Sequence, residues 1–184
     1  MNYWFVSDYH LGHKNIIRYC NRPFSSVEEM DATIINNHNA LVKPDDEVFF
    51  LGDFALTGNL GARKVLDYLD MFNGKFNFIA GNHDKYYQKE IRSSPKVISY
   101  KSYFEWSTKY VRDKIGTSIV MSHYPIEDWA GKYHGFIHLH GHCHGLKNLI
   151  QGRLEVSVEC TGYKPVPLEE LVAKSRHVGV LVKS

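Results

Sequence analysis

Short apolar runs punctuate this chain at wide intervals, and the stretches between them carry helical spacing. Trp4-Phe5-Val6, Val48-Phe49-Phe50-Leu51, Phe78-Ile79-Ala80 and Ile119-Val120-Met121 are rich in β-branched and aromatic residues and too short for helices. Apolar or alternating runs, interleaved with helical patterns, fit an α/β domain. The pattern predicts strands over 3–7, 47–51, 76–80, 96–104, 118–122, 135–140, 154–158 and 178–182. A helix is expected over 25–40, where Ser25 can cap the start and Glu28 completes a capping box. A second is expected over 59–72, with Leu60, Val65, Leu66, Leu69 and Phe72 near helical spacing and Asn73-Gly74 as a stop. A last helix should follow Pro167. No repeat or linker divides the chain, so 1–184 reads as a single α/β domain.

Chemistry enters at the strand ends. Asp8, Asp53, Asn82 and His123 each lie at or just beyond the C-terminal end of a predicted strand, the sheet edge at which α/β folds gather ligands. The motifs are Asp8-Tyr9-His10, Gly52-Asp53, Gly81-Asn82-His83-Asp84, His123 and Gly141-His142-Cys143-His144. Gly52, Gly81 and Gly141 stand immediately before ligand-type residues, where they permit sharp turns and close backbone approach. Oxygen donors mixed with imidazoles suit manganese, iron, zinc or nickel rather than calcium or magnesium. Asp8, His10, Asp53, Asn82, His123, His142 and His144 are too many for one tetrahedral ion, whereas two ions sharing a bridging carboxylate use them all.

Composition narrows the setting. The 184 residues are 43% apolar and 23% charged, ordinary values for a soluble globular protein. A formal charge of +2 does not by itself announce a nucleic-acid binder. Two local regions are more basic, one with Lys14, Arg18 and Arg22, the other with Lys85, Lys89, Arg92, Lys96 and Lys101. Both follow ligand motifs, so they are either solvated surface or attraction for an anionic substrate. Three widely spaced cysteines argue against a disulfide framework, and neither a membrane span nor a signal segment is expected. The cytoplasm is the expected compartment; oligomeric state is left open.

In order and content, the five motifs resemble those of the calcineurin-like metallophosphoesterase superfamily, over a stretch from Asp8 to His144, with Tyr163-Lys164-Pro165 resembling the tail of small members. The resemblance implies a four-layer fold of two mixed β-sheets flanked by helices. It implies one metal on Asp8, His10, Asp53 and His144, a second on Asp53, Asn82, His123 and His142, and Asp53 as the bridge. Two divalent ions, manganese first, would share a hydroxide for in-line attack on phosphorus. His83 is implied as proton donor to the leaving oxygen, with Asp84 orienting or tuning it. The expected activity is phosphate-ester hydrolysis. A phosphodiester of nucleotide or nucleic-acid type comes first, a phosphomonoester or phosphoprotein second, and a non-catalytic scaffold is the competing class. His13 either contacts substrate or caps a helix. His138 and His140 read as supporting or packed histidines, His38 and His177 as structural or surface residues, and Cys143 as a small packed residue.

Overall fold

Side chains of the first strands alternate strictly between two cores. In the computed structural model, which describes residues 1–58, 61, 63–108, 117–146 and 150–177, β1 (Tyr3–Val6), β2 (Glu47–Phe50), β3 (Lys75–Ile79) and β4 (Val97–Lys101) run parallel in the order β4-β3-β2-β1. A second sheet has the order β5 (Tyr103–Thr108), β6 (Thr117–Ser122), β7 (Ile137–His140), β8 (Arg153–Glu155). Its β5/β6 pair is antiparallel and the other two pairs are parallel. The short β9 (Val166–Pro167) closes the first sheet antiparallel to β1, so both sheets are mixed.

Phe5, Phe49, Leu51 and Ile79 point from the first sheet into the space between the sheets, meeting Ile119, Met121, Ile137, Leu139 and Leu154. Val6, Val48, Phe50, Phe76 and Phe78 point the other way, onto helices. These helices are α1 (Lys14–Tyr19), α2 (Val27–Leu41), α3 (Arg63–Met71) and α4 (Gln88–Ser93). α5 (Val158–Thr161) and α6 (Leu168–His177) follow β8, and Leu168, Leu171 and Val172 of α6 join the inter-sheet core. Each fully buried Phe or Leu contributes about 1.5–3 kcal/mol of burial. The two cores fix the sheet-on-sheet arrangement. Among the described residues no helix is long and apolar enough to cross a membrane.

Several boundaries differ from expectation, each for a local reason. The α2 cap is Ser26, whose hydroxyl accepts the Glu29 N–H at 3.1 Å, while the Glu29 carboxylate accepts the Ser25 N–H at 2.8 Å. Ser25-Ser26-Val27-Glu28-Glu29 offers two overlapping capping boxes; the hydroxyl half of the later one forms, and its carboxylate turns to Ser25 instead of Ser26. The strand expected over 96–104 is two strands in different sheets, broken at Ser102. The strand expected over 154–158 ends at Glu155, and Val158 opens α5 instead. The helix expected over 59–72 is seen from Arg63 to Met71. The strand expected over 178–182 lies outside the described residues.

Candidate metal centre

Parallel strands deliver their C-terminal ends to one edge, and the loops beyond them are bonded to one another. Asp8 N–H donates to the Gly52 carbonyl at 2.9 Å, and His10 N–H to that of Asp53 at 3.1 Å. Gly141 N–H donates to His123 O at 3.0 Å in the second sheet. The sheets are joined here too: Ser7 N–H donates to Val156 O at 3.0 Å, and His123 Nδ1 lies 2.8 Å from Leu51 O. All five motifs therefore reach a single cleft at the common edge.

The glycines are required by contact. A Cβ at Gly52 would lie 2.6 Å from Gly81 N and 2.7 Å from His123 Nδ1. One at Gly81 would overlap the Asp53 carboxylate, and one at Gly141 that of Asp8. The motif residues themselves are bent: Asp8, His10, Asp53, His142 and His144 all have φ between 49° and 69°. That left-handed region disfavours side chains with a Cβ.

Within the cleft the donors form overlapping groups around Asp53, one of which joins His83 to His10 and Asp53. Asp8, His10 and His144 offer atoms mutually within 4.8 Å, as do Asp53, His123 and His142. Asp53 Oδ2 is 3.6 Å from His10 Nε2 on one side and 3.5 Å from His123 Nε2 on the other. Asn82 Oδ1 is 3.0 Å from both His123 Nε2 and His142 Nδ1. His144 Nε2 and His10 Nε2 each lie 3.8 Å from Asp8 Oδ1. His83 Nε2 is 3.8 Å from Asp53 Oδ2, and its side chain is 31% exposed against 2% for His10 and 1% for His123. His83 is thus partly open to solvent, unlike His10 and His123.

Divalent ions fit this donor set. Both ring nitrogens of His10 are buried with no hydrogen-bond partner among the described residues, an arrangement that costs free energy unless something else meets them. Burial pushes the Asp8 carboxyl up to about 7, against the lowering influence of His123 and His144. Burial also holds His10 well below its ordinary value, with Arg22 and neighbouring histidines adding to the effect. A buried cation would reverse the first tendency and reinforce the second, since it favours an ionised carboxylate and an unprotonated imidazole.

Asp84 does not occupy the place expected of it. Its carboxylate is fully buried and accepts the backbone N–H groups of Asp53 at 2.8 Å, Phe54 at 3.0 Å and Gly81 at 2.8 Å. It clamps the β2 and β3 loops together rather than reaching the His83 ring. The carboxylate beside that ring is Asp53, whose Oδ1 also accepts the His83 N–H at 2.9 Å.

The remaining histidines sort by their partners. His13 begins α1 without capping it through its side chain; its ring lies 5.5 Å from that of His10 and 6.0 Å from that of His83. His138 accepts the Ile126 N–H at Nε2 and meets Val120 O at Nδ1, and His140 Nδ1 meets Gly141 O. Burial brings each of these two down to about 4, as packed neutral rings. His38 is buried between Tyr9 OH and Asn73 O. Two further residues join the cleft: Glu159, which no motif revealed, and Arg22, expected in a basic surface or substrate-attracting region but buried. Glu159 Oε1 lies 2.9 Å from His144 Nδ1, and buried Arg22 binds that same oxygen.

Comparison with known proteins shows the family. The profile of the calcineurin-like phosphoesterases matches residues 1–176, and the chain belongs to that family. Membership brings metal-dependent phosphoester hydrolysis as the class of chemistry, and this chain carries clusters able to hold divalent ions. An uncharacterized protein, MJ1445 of Methanocaldococcus jannaschii, is 37% identical over 98% of this chain and 94% of its own length. The gene 66 protein of Mycobacterium phage L5 is 27% identical over 96% of this chain and 95% of its own. A crystal structure of AQ665 from Aquifex aeolicus, a protein of unknown function, shares the fold with a TM-score of 0.68. It is 22% identical and covers 94% of this chain and 98% of its own.

Proposed function

We propose that this chain is a dinuclear phosphodiesterase acting on a nucleotide or nucleic-acid type of ester. The observation that carries the reading is Asp53, whose Oδ2 stands between the two donor groups at 3.6 Å from His10 Nε2 and 3.5 Å from His123 Nε2. On this reading Asp8, His10, Asp53 and His144 hold one ion, and Asp53, Asn82, His123 and His142 the other. Manganese is the first choice because the donors mix carboxylate and amide oxygens with imidazole nitrogens. Two such ions supply positive charge that polarises a phosphoryl group and acidifies water near neutral pH.

The chain's own groups do the rest. Asp53 accepts the His83 N–H and so fixes the loop that presents this ring to solvent. From there His83 is placed to hand a proton to the leaving oxygen. Support for a diester with a planar leaving group comes from the rim. Tyr124 is exposed and its ring lies 4.5 Å from that of His142; Tyr19 is exposed, 6.3 Å from His13, with the Arg18 guanidinium over it at 5.4 Å. Aromatic faces and a cation beside a phosphate site suit a base and its backbone. The cytoplasm is the proposed compartment.

The test is hydrolysis of bis-nitrophenyl phosphate, nitrophenyl phosphate, cyclic nucleotides and single-stranded DNA or RNA by the manganese-loaded protein. Diester turnover should exceed monoester turnover, vanish on chelation and return with manganese. Faster monoester turnover would replace the diester reading with a phosphatase. No turnover of any ester by protein holding two ions would favour a scaffold of the same fold.

A further inference from the structure

We infer that Glu159, pinned by Arg22, is a positioning residue for His144 and strengthens ion binding in the Asp8, His10, Asp53 and His144 half of the centre. The inference rests on the dinuclear reading above. Glu159 sits on α5, beyond every ligand motif, yet the fold carries it to the cleft. Ser7 pairs with Ser157 in an isolated parallel bridge, and Ser7 N–H donates to Val156 O at 3.0 Å, so the chain entering α5 runs beside the residue preceding Asp8.

Its carboxylate then meets the ring edge that the cluster does not use. Glu159 Oε1 is 2.9 Å from His144 Nδ1, while His144 Nε2 looks back to Asp8 Oδ1 at 3.8 Å. The contact is a close charge pair not aligned as a hydrogen bond, and a carboxylate there favours a proton on Nδ1 and leaves the Nε2 lone pair for an ion. The guanidinium of Arg22 fixes the carboxylate in turn. Its Nε and one terminal nitrogen each lie 2.8 Å from Glu159 Oε1. The same group donates to Tyr9 O and to Asp8 O, both at 2.8 Å. One buried fork therefore sets the distance between Glu159 and the Asp8–His10 loop.

Two alternatives fail on the same geometry. Cys20, His144 and Glu159 also lie close enough to hold an ion, but Glu159 Oε1 already carries the Arg22 cation, which would repel one there. A purely structural ion pair would not need His144 Nδ1 within 2.9 Å of the shared oxygen. The two halves of the centre are also supported differently. His123 Nδ1 meets the neutral carbonyl oxygen of Leu51, whereas His144 meets a carboxylate.

Loss of such a partner typically weakens metal affinity about 10- to 100-fold. Calorimetric titration of the metal-free full-length chain with manganese chloride should give two ions for the wild type. In Glu159→Gln one affinity should fall about 10- to 100-fold while the other stays within about 2-fold. Glu159→Asp, which keeps the charge but retracts it, should fall between them. Arg22→Lys should weaken the same ion. In double variants the loss from Glu159→Gln should add to that of His123→Ala but not to that of His144→Ala. Equal weakening of both ions in both Glu159 variants would mean general loosening of the cleft, and unchanged affinities would mean no role for Glu159; either overturns the inference alone. A wild-type chain that takes up a single ion overturns the dinuclear reading and this inference with it.

Discussion

Removing the Asp84 carboxylate should damage the cleft before it damages proton transfer. In Asp84→Ala three buried N–H groups, those of Asp53, Phe54 and Gly81, lose an acceptor now 2.8–3.0 Å away. Hydrogen bonds to a charged group are worth about 1.5–3 kcal/mol each, and an orphaned buried donor costs about 1–3 kcal/mol. The full sum is not realised, because burial already disfavours the ionised carboxylate and raises its pKa. A loss of about 3–5 kcal/mol is expected, a large part of the 5–15 kcal/mol typical of a domain. With a urea dependence of about 2–3 kcal/mol per molar, the midpoint of metal-free protein should fall by about 1–2.5 M. Asp84→Asn keeps one acceptor oxygen but turns an amide donor towards N–H groups, so it should lose about half as much. The assay is urea unfolding followed by circular dichroism, paired with kcat on an alkyl and a nitrophenyl diester. A clamp lowers both rates by the same factor, since it acts through loop position. Undiminished stability, with a larger loss on the alkyl ester, would refute this and return Asp84 to the role of tuning His83.

Two other outcomes follow from the same contacts. His38 is held down at about 4 by burial, while an unfolded chain titrates at about 6.5, so the unfolded state binds the extra proton between those values. Stability should be complete above pH 6.5 and fall as the pH drops, by about 2 kcal/mol from this group at pH 5; a metal-free His38→Gln variant with an undiminished loss between pH 7 and 5 would contradict it. Asp53→Asn should weaken both ions, because Oδ2 stands between the two donor groups, whereas His83→Ala should leave two ions bound; equal losses in a manganese titration would make His83 a ligand.

Contiguous motifs made much of the centre legible. Each candidate ligand follows an apolar run closely, so strand and ligand are read together, and parallel pairing of β1, β2 and β3 brings their ends to one edge. The α/β class was legible for the same reason, through continuous runs such as Val48-Phe49-Phe50-Leu51 that bury both faces. The change of sheet at Ser102 was hidden, because alternation continues through a strand that leaves one partner for another. α1 and α4 were missed because six residues give too little periodicity, and neither has a side-chain cap to mark its start. Arg22 and Glu159 stand 137 positions apart and carry no motif, so their shared contact with Asp8 and His144 exists only in three dimensions. Asp84 is the converse case. Its neighbour in sequence is His83, but its partners are amides brought in by packing.

Strain separates a working centre from an inherited shape. Of the seven non-glycine residues with positive φ among the described residues, five are candidate ligands: Asp8, His10, Asp53, His142 and His144. A left-handed conformation costs a residue with a Cβ about 1–2 kcal/mol, so the five together oppose folding by several kcal/mol. The opposing forces are visible: the Asp84 clamp, the Arg22 fork, and glycines whose missing Cβ atoms let the loops touch. These hold the rings of His10, His123 and His144 3.5–3.8 Å from the Asp8 and Asp53 carboxylates, longer than ordinary hydrogen bonds, and leave His10 buried with both nitrogens unmet among the described residues. A scaffold gains nothing from that arrangement, since relaxed backbone and paired side chains would be more stable at every one of those positions. Donors fixed in advance instead reduce the ordering that ions and a phosphate ester would otherwise require, and that is the use for which the strain makes sense.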